Sequence, residues 1–160
     1  DYSVDLAVLR QSHRSLQQTH HPDRFVTGSD SEQRRAVQIT AYLNQAYATL
    51  SKPLTRGIYL LQLQGMDPLA PTNTQMPMDF LLQQIELRES LEEMHQSRDP
   101  EAQIDSMASK LQHQAGQLES EFAQAYDSSD LGAAETAVRK LQFIVKLQQQ
   151  LDALEGALLD

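Results

Sequence analysis

Apolar residues recur every three or four positions along most of the chain, and no segment alternates with a period of two. That pattern predicts helices rather than half-buried strands. Asp5 is a good N-cap, so the first helix is expected after it and on to about His20, carrying Leu6, Leu9 and Leu16. Pro22 disfavours helical geometry at His21, which turns the chain there. A loop containing Gly28 leads to a second helix over about 31–51, with Val37, Leu43, Tyr47 and Leu50 as candidate core residues. Pro53 suits the first turn of a short third helix, and Gly65 suits the position just past its end.

Residues 66–77 break the periodicity. They hold Pro68, Pro71 and Pro77 and read as a linker. Three longer helices are expected beyond it. One spans about 78–96. The next opens at Asp99-Pro100-Glu101, a cap followed by a first-turn proline, and runs to about Tyr126. Its stripe of Ile104, Met107, Leu111, Ala115, Leu118, Phe122 and Ala125 forms one apolar face. The last runs from near Asp130 to about Leu158, with Leu131, Ala134, Val138, Leu141 and Val145 as its stripe. Short connections between long helices imply antiparallel neighbours, hence an antiparallel three-helix bundle. The fold class read from this is all-α, with an N-terminal helical domain over 1–65, a linker over 66–77 and the bundle over 78–160.

Composition narrows what such a protein can do. At 160 residues and 40% hydrophobic content the chain can bury a core. It has no cysteine, which removes disulfides, thiolate metal ligands and a thiol nucleophile together. There is no apolar run of membrane-spanning length and no basic-then-apolar leader. The sequence starts at Asp1 without Met, so an upstream piece is expected to have been removed or left out. The net charge of −9 argues against nonspecific nucleic-acid binding. That total conceals a division. Residues 1–65 carry seven basic and five acidic side chains, a net of +2, whereas residues 66–160 carry six basic and seventeen acidic ones, a net of −11. Halves of opposite sign are expected to face different partners.

Two features carry candidate chemistry. The helix over 78–96 has two apolar sides. At roughly 100° per residue, Phe80, Leu87, Leu91 and Met94 share one face, while Met78, Leu81, Leu82 and Ile85 lie on the other. Glu86, Glu89 and Glu93 continue that second side. It either packs against the linker or the N-terminal half, or stays exposed as an apolar patch edged with carboxylates, which would mark a protein-binding site. Phe143 lies well off the stripe of the last helix and is a candidate for the same patch.

The second feature is His21-Pro22-Asp23. Taken alone it can be an ordinary turn. Its setting suggests more: it closes a helix bearing Arg10 and Arg14 at i and i+4, and Arg24-Phe25, a loop and a second amphipathic helix follow. Two such helices pack antiparallel with the loop at their tip. An exposed carboxylate beside a basic face makes a docking site of two complementary parts. Acid–base catalysis by His21 and Asp23 lacks a nucleophile or second base nearby in sequence. A zinc site from His13, His20, His21 and Asp23 lacks a second ligand pair. No catalytic residue, metal or cofactor is expected.

This arrangement resembles the J-domain of co-chaperones that stimulate the ATPase of the seventy-kilodalton heat-shock chaperones. Asn44-Gln45-Ala46-Tyr47, then Ser51-Lys52-Pro53 and Arg56, also look like the J-domain pattern. The resemblance implies that His21, Pro22, Asp23 and Arg24, with Arg10 and Arg14, contact the chaperone's nucleotide-binding domain. It also implies a short leading helix, largely absent from the sequence. Gln17, Gln18 and Thr19 stand where many J-domains have Lys or Arg, consistent with one dedicated chaperone. The whole chain is similar to the HscB-type iron–sulfur co-chaperones, through His21-Pro22-Asp23-Arg24-Phe25, Phe80-Leu81-Leu82, Glu86-Leu87-Arg88-Glu89 and Val138-Arg139-Lys140-Leu141-Gln142-Phe143. That similarity implies an L-shaped, non-enzymatic protein of the bacterial cytoplasm, or of the mitochondrial matrix in a eukaryote. It implies an HscA-like chaperone and an IscU-like cluster scaffold as partners, the scaffold held by Leu81, Leu82, Ile85, Glu86, Glu89, Glu93 and Phe143. A J-domain protein serving another client, or a helical adaptor with an incidental His-Pro-Asp, are the alternatives.

Overall fold

Asp5 begins the first helix by accepting at Oδ1 from the backbone N–H groups of Ala7 and Val8, at 3.0 and 3.3 Å. These are two of the donors that a helix start leaves orphaned. The computed structural model describes residues 1–70 and 76–159, so part of the expected linker, residues 71–75, lies outside the described residues. The regular elements among the described residues are all helical. They are α1 (Leu6–His20), α2 (Asp30–Leu50), α3 (Pro53–Leu63), α4 (Met78–Glu93), α5 (Pro100–Asp127) and α6 (Leu131–Leu159). One-turn 3₁₀ segments follow α1, at Pro22–Phe25, and α4, at Met94–Gln96. The chain divides into two compact units, Asp1–Leu60 and Leu61–Asp160.

The first unit is a hairpin of α1 and α2 with a thin core. No residue of α1 is fully buried, and only Ala36 is in α2. Val37, a candidate core residue, is exposed, as are Leu6 and Leu16 of α1, and Leu9, Leu43, Tyr47 and Leu50 are half-buried. The reason is geometric: α1 packs chiefly on α2, so each helix buries one seam and leaves its other faces wet. Polar side chains bridge the two helices along the exposed edge of that seam. Asn44 Oδ1 meets His13 Nε2 at 3.1 Å and accepts from Gln17 Nε2 at 2.6 Å, and the His13 ring stacks on Tyr47 at 4.4 Å.

Arg56 is the buried cation of this unit. Its Nη1 donates to the Leu50 carbonyl at 2.6 Å, at the C-terminal end of α2. Its guanidinium lies 5.0 Å from the centre of the Tyr2 ring, and the Tyr2 hydroxyl donates to the Pro53 carbonyl at 3.1 Å. A cation at a helix C-terminus satisfies a free carbonyl and opposes the negative end of the helix dipole. The α3 helix then ends in a Schellman motif. Gly65, at φ +80°, allows Met66 N–H to reach Leu61 O at 3.1 Å and Gly65 N–H to reach Gln62 O at 3.0 Å.

The second unit has a dense core built on α5 and α6. Phe122, Leu111, Leu141, Ile144, Leu147, Leu151 and Val138 are almost wholly shielded, each contributing about 1.5–3 kcal/mol. The stripe on α5 is buried as expected, except for the half-buried Ala125. On α6 the stripe runs through Ile144 rather than Val145, and Ala137 and Phe143 widen it. The wider face follows from position, because α6 packs against both α5 and α4. Three residues reverse the chain between α5 and α6. Asp130 N–H closes the end of α5 on Ala125 O at 2.8 Å, while Asp130 Oδ1 caps α6 through Ala133 N–H at 3.1 Å. Ser129 between them adopts φ +60°.

Arg56→Ala leaves the Leu50 carbonyl without its charged donor. It is expected to raise the exchange rate of amides in the last turns of α2 by a factor corresponding to about 1.5–3 kcal/mol. Hydrogen exchange with mass readout checks this, and unaltered rates would mean that the buried guanidinium stabilises nothing.

Candidate functional site

His-Pro-Asp occupies the reversal between α1 and α2. The His21 backbone is extended, at φ −61° and ψ 138°, which ends α1 and suits the residue preceding a proline. Pro22 then opens the 3₁₀ turn at a position where the missing N–H costs nothing. His21 Nδ1 accepts from Asp23 N–H at 3.1 Å, so the histidine caps the turn with its own ring. With Nδ1 accepting, the neutral ring carries its proton on Nε2. Asp23 Oδ2 stands 3.5 Å from the same nitrogen, close enough for an ion pair only when the ring is protonated. The Asp23 side chain is 88% exposed, so its carboxylate is open to a partner.

Side chains of α2 hold this loop from beneath. Gln33 Nε2 donates to Val26 O at 2.9 Å and to Gly28 O at 3.4 Å. Thr40 Oγ1 donates to His20 O at 3.3 Å, beside the tripeptide. Gly28 N–H closes on Phe25 O at 2.9 Å, and a Cβ on Gly28 would crowd that carbonyl and the Glu32 side chain. The loop is thus tied to a helix at both ends. Arg10, Arg14 and Arg24 are exposed. Arg14 and Arg10 lie about 10 and 16 Å along the chain axis from His21, counting 1.5 Å per residue. His13 serves the α1–α2 seam. Among the described residues, no cluster of three or more His, Cys, Asp or Glu is placed to hold a metal.

The two-sided pattern of α4 is resolved by one contact. Phe80 meets Phe143 of α6 edge to face, centroids 5.8 Å apart at 83°. With Leu87 and Met94 this buries one face of α4. The opposite stripe stays outside, with Leu81 38%, Leu82 55% and Ile85 54% exposed and Met78 more so. Glu86, Glu89 and Glu93 are exposed beside it. Phe143 does not join this exposed surface. It is 8% exposed, its ring engaged by Phe80 and Arg88, and it forms part of the wall of a neighbouring cleft of about 260 Å³.

Sequence reasoning missed Gln33 and Thr40 as loop anchors, since each looks like an ordinary polar residue on a solvated helix face. Their signal is positional: both lie on α2 facing the reversal. Gln33→Ala removes both bonds to the loop. It is expected to speed exchange of the backbone amides of residues 24–28 several-fold while total helicity is retained. Unchanged exchange in those residues would show the turn holding itself.

Comparison with known proteins bears on both regions. Residues 76–152 match the family model of the HSCB C-terminal oligomerisation domain. A co-chaperone protein HscB homolog of Shewanella halifaxensis is 39% identical, the match covering 99% of this chain and 93% of that protein. The solved chaperone HscB from Vibrio cholerae is 35% identical, with a TM-score of 0.87 over 99% of this chain and 93% of that one. The crystal structure of human co-chaperone protein HscB is 26% identical, with a TM-score of 0.89 over 97% of this chain and 77% of that one. With near-complete coverage and identity well above 30%, the chain belongs to the HscB family of co-chaperones.

Proposed function

We propose that this co-chaperone joins an iron–sulfur cluster scaffold protein of the IscU type to a dedicated seventy-kilodalton heat-shock chaperone of the HscA type, in the bacterial cytoplasm, and stimulates that chaperone's ATPase. Residues 1–65 act as the J-domain and residues 78–160 as the scaffold-binding domain, joined by 66–77. The protein performs no chemistry itself. It supplies two docking surfaces on one chain, and the cluster is cargo carried by the scaffold. The observation that carries the reading is the 88% exposed Asp23 carboxylate on a turn anchored from below by α2.

The chaperone-facing surface comprises Asp23 with His21 and Pro22, which shape its turn, and the cations Arg10, Arg14 and Arg24. A rigid turn that presents one carboxylate beside a basic helix face selects a partner with an adjoining cation and acidic surface. The scaffold-facing surface is the stripe of Leu81, Leu82 and Ile85, rimmed by Glu86, Glu89 and Glu93 and backed by Phe143. Apolar contact there supplies affinity, and the carboxylates set approach and orientation. Holding both partners on one chain raises the effective concentration of scaffold at the chaperone, so neither contact has to be tight alone.

Asp23→Asn keeps the size of the side chain and removes its charge. It is expected to abolish stimulation of ATP hydrolysis by the partner chaperone, with the circular dichroism spectrum unchanged; persistent stimulation would overturn the J-domain assignment. Leu81→Ala combined with Leu82→Ala and Ile85→Ala is expected to weaken scaffold binding at least tenfold in calorimetry. Wild-type affinity in that variant would assign the stripe to some other contact. Glu93→Ala is expected to slow association and flatten its salt dependence while changing dissociation little, as stopped-flow mixing would report.

A further inference from the structure

The chain has no cysteine, so its sulfur atoms are those of Met66, Met76, Met78, Met94 and Met107. The fold treats these methionines differently. Met94 and Met107 belong to the core, at 4% and 7% exposed. Met66 and Met76 are half-buried. Met78, the first residue of α4, is 71% exposed. A thioether is oxidised by peroxide when the oxidant can reach its sulfur, so oxidation of this chain is directed to Met78.

Met78 also continues the exposed apolar stripe. At about 100° per residue, Ile85 lies about 20°, Leu82 about 40° and Leu81 about 60° around the helix from it. Leu81 is about 4.5 Å further along the axis and Ile85 about 10 Å. A partner seated on those three side chains therefore takes in the first turn of α4. The reduced side chain suits that place, because a flexible, polarisable thioether adapts to an uneven apolar surface. The sulfoxide does not. Its S–O group is strongly polar, and covering it without a donor opposite is unfavourable.

We propose that Met78 is a reversible oxidation site through which peroxide lowers the affinity of this co-chaperone for its scaffold. This rests on the reading of the α4 stripe as the scaffold site. A lone pair of the Met78 sulfur attacks one oxygen of hydrogen peroxide. The O–O bond breaks, an S–O bond forms, and the departing hydroxide takes the proton of the transferred oxygen and leaves as water. Sulfur is oxidised by two electrons and the peroxide is reduced by two. A methionine sulfoxide reductase returns the thioether, the oxygen leaving as water while two thiols are oxidised to a disulfide. Met94 and Met107 are shielded, so the core is spared and the change stays on the docking surface.

The test treats the full chain with hydrogen peroxide, destroys the excess with catalase, and only then adds purified IscU-type scaffold. Peptide mass mapping is expected to find sulfoxide at Met78 several-fold sooner than at each of the other four methionines. Equal rates at Met66 or Met76 would overturn the assignment of the site. In titration calorimetry the oxidised protein is expected to bind the scaffold about fivefold more weakly. Methionine sulfoxide reductases acting on both epimers are expected to restore the original affinity. Met78→Leu, which conserves volume, is expected to show the same affinity with and without peroxide. If peroxide weakens Met78→Leu as it does wild type, another residue is responsible and the proposal fails. Met78→Gln, polar without any oxidant, is expected to bind as weakly as the oxidised protein. If oxidised protein and Met78→Gln both keep full affinity while Leu81→Ala/Leu82→Ala/Ile85→Ala loses it, the stripe reading stands and the oxidation proposal falls. If that triple variant binds like wild type, the scaffold reading falls and takes the oxidation proposal with it. Circular dichroism of each sample separates lost contacts from lost fold.

Discussion

The edge-to-face contact of Phe80 with Phe143 is the interaction on which the second unit's surface depends. An amphipathic helix with two apolar sides can be buried by either. Aromatic rings meeting at 83° bury large area and gain a further fraction of a kilocalorie to about 1.5 kcal/mol from quadrupole geometry. That contact sets the rotation of α4 about its own axis. Once it is set, Leu81, Leu82 and Ile85 are left exposed, with Glu86, Glu89 and Glu93 exposed beside them. An exposed apolar stripe edged with carboxylates thus accompanies the burial of this pair.

The first unit follows a different physical logic. Its helices are joined through few buried apolar groups, and the seam is held by directional bonds at Asn44, by His13 stacked on Tyr47 and by the Arg56 guanidinium on the end of α2. Hydrogen bonds add little net stability but specify geometry, since a partner must sit at one distance and angle. Such a seam keeps the register of α1 and α2 fixed, and the register decides how the turn between them is presented. The bonds from Gln33 and Thr40 complete this arrangement, so the motif at the tip is held by residues that the motif does not include.

Helix boundaries were legible because their signals are local. Asp5, Asp99-Pro100 and Gly65 act within one turn of themselves, and each sits where its chemistry requires. The chain reversal at His21-Pro22-Asp23 was legible for the same reason, as was the second apolar side of α4. The core of the first unit was read wrongly at Val37, where periodicity assumed an apolar neighbour that a two-helix seam does not supply. On α6 it misjudged Val145 against Ile144, since a helix flanked on two sides buries a wider arc than one stripe describes.

The sequence by itself determined the all-helical class, the chain reversal at His21-Pro22, the division of charge and the presence of a second apolar side on α4. These rest on backbone geometry, capping and composition, which act over a few residues or none. Only the tertiary structure decided which side of α4 is buried, that Phe143 lies inside, and that Arg88 and Lys140 lie over the Phe143 and Phe80 rings. Those outcomes depend on contacts between residues more than fifty positions apart, and no local pattern encodes which of two apolar faces will find the larger partner.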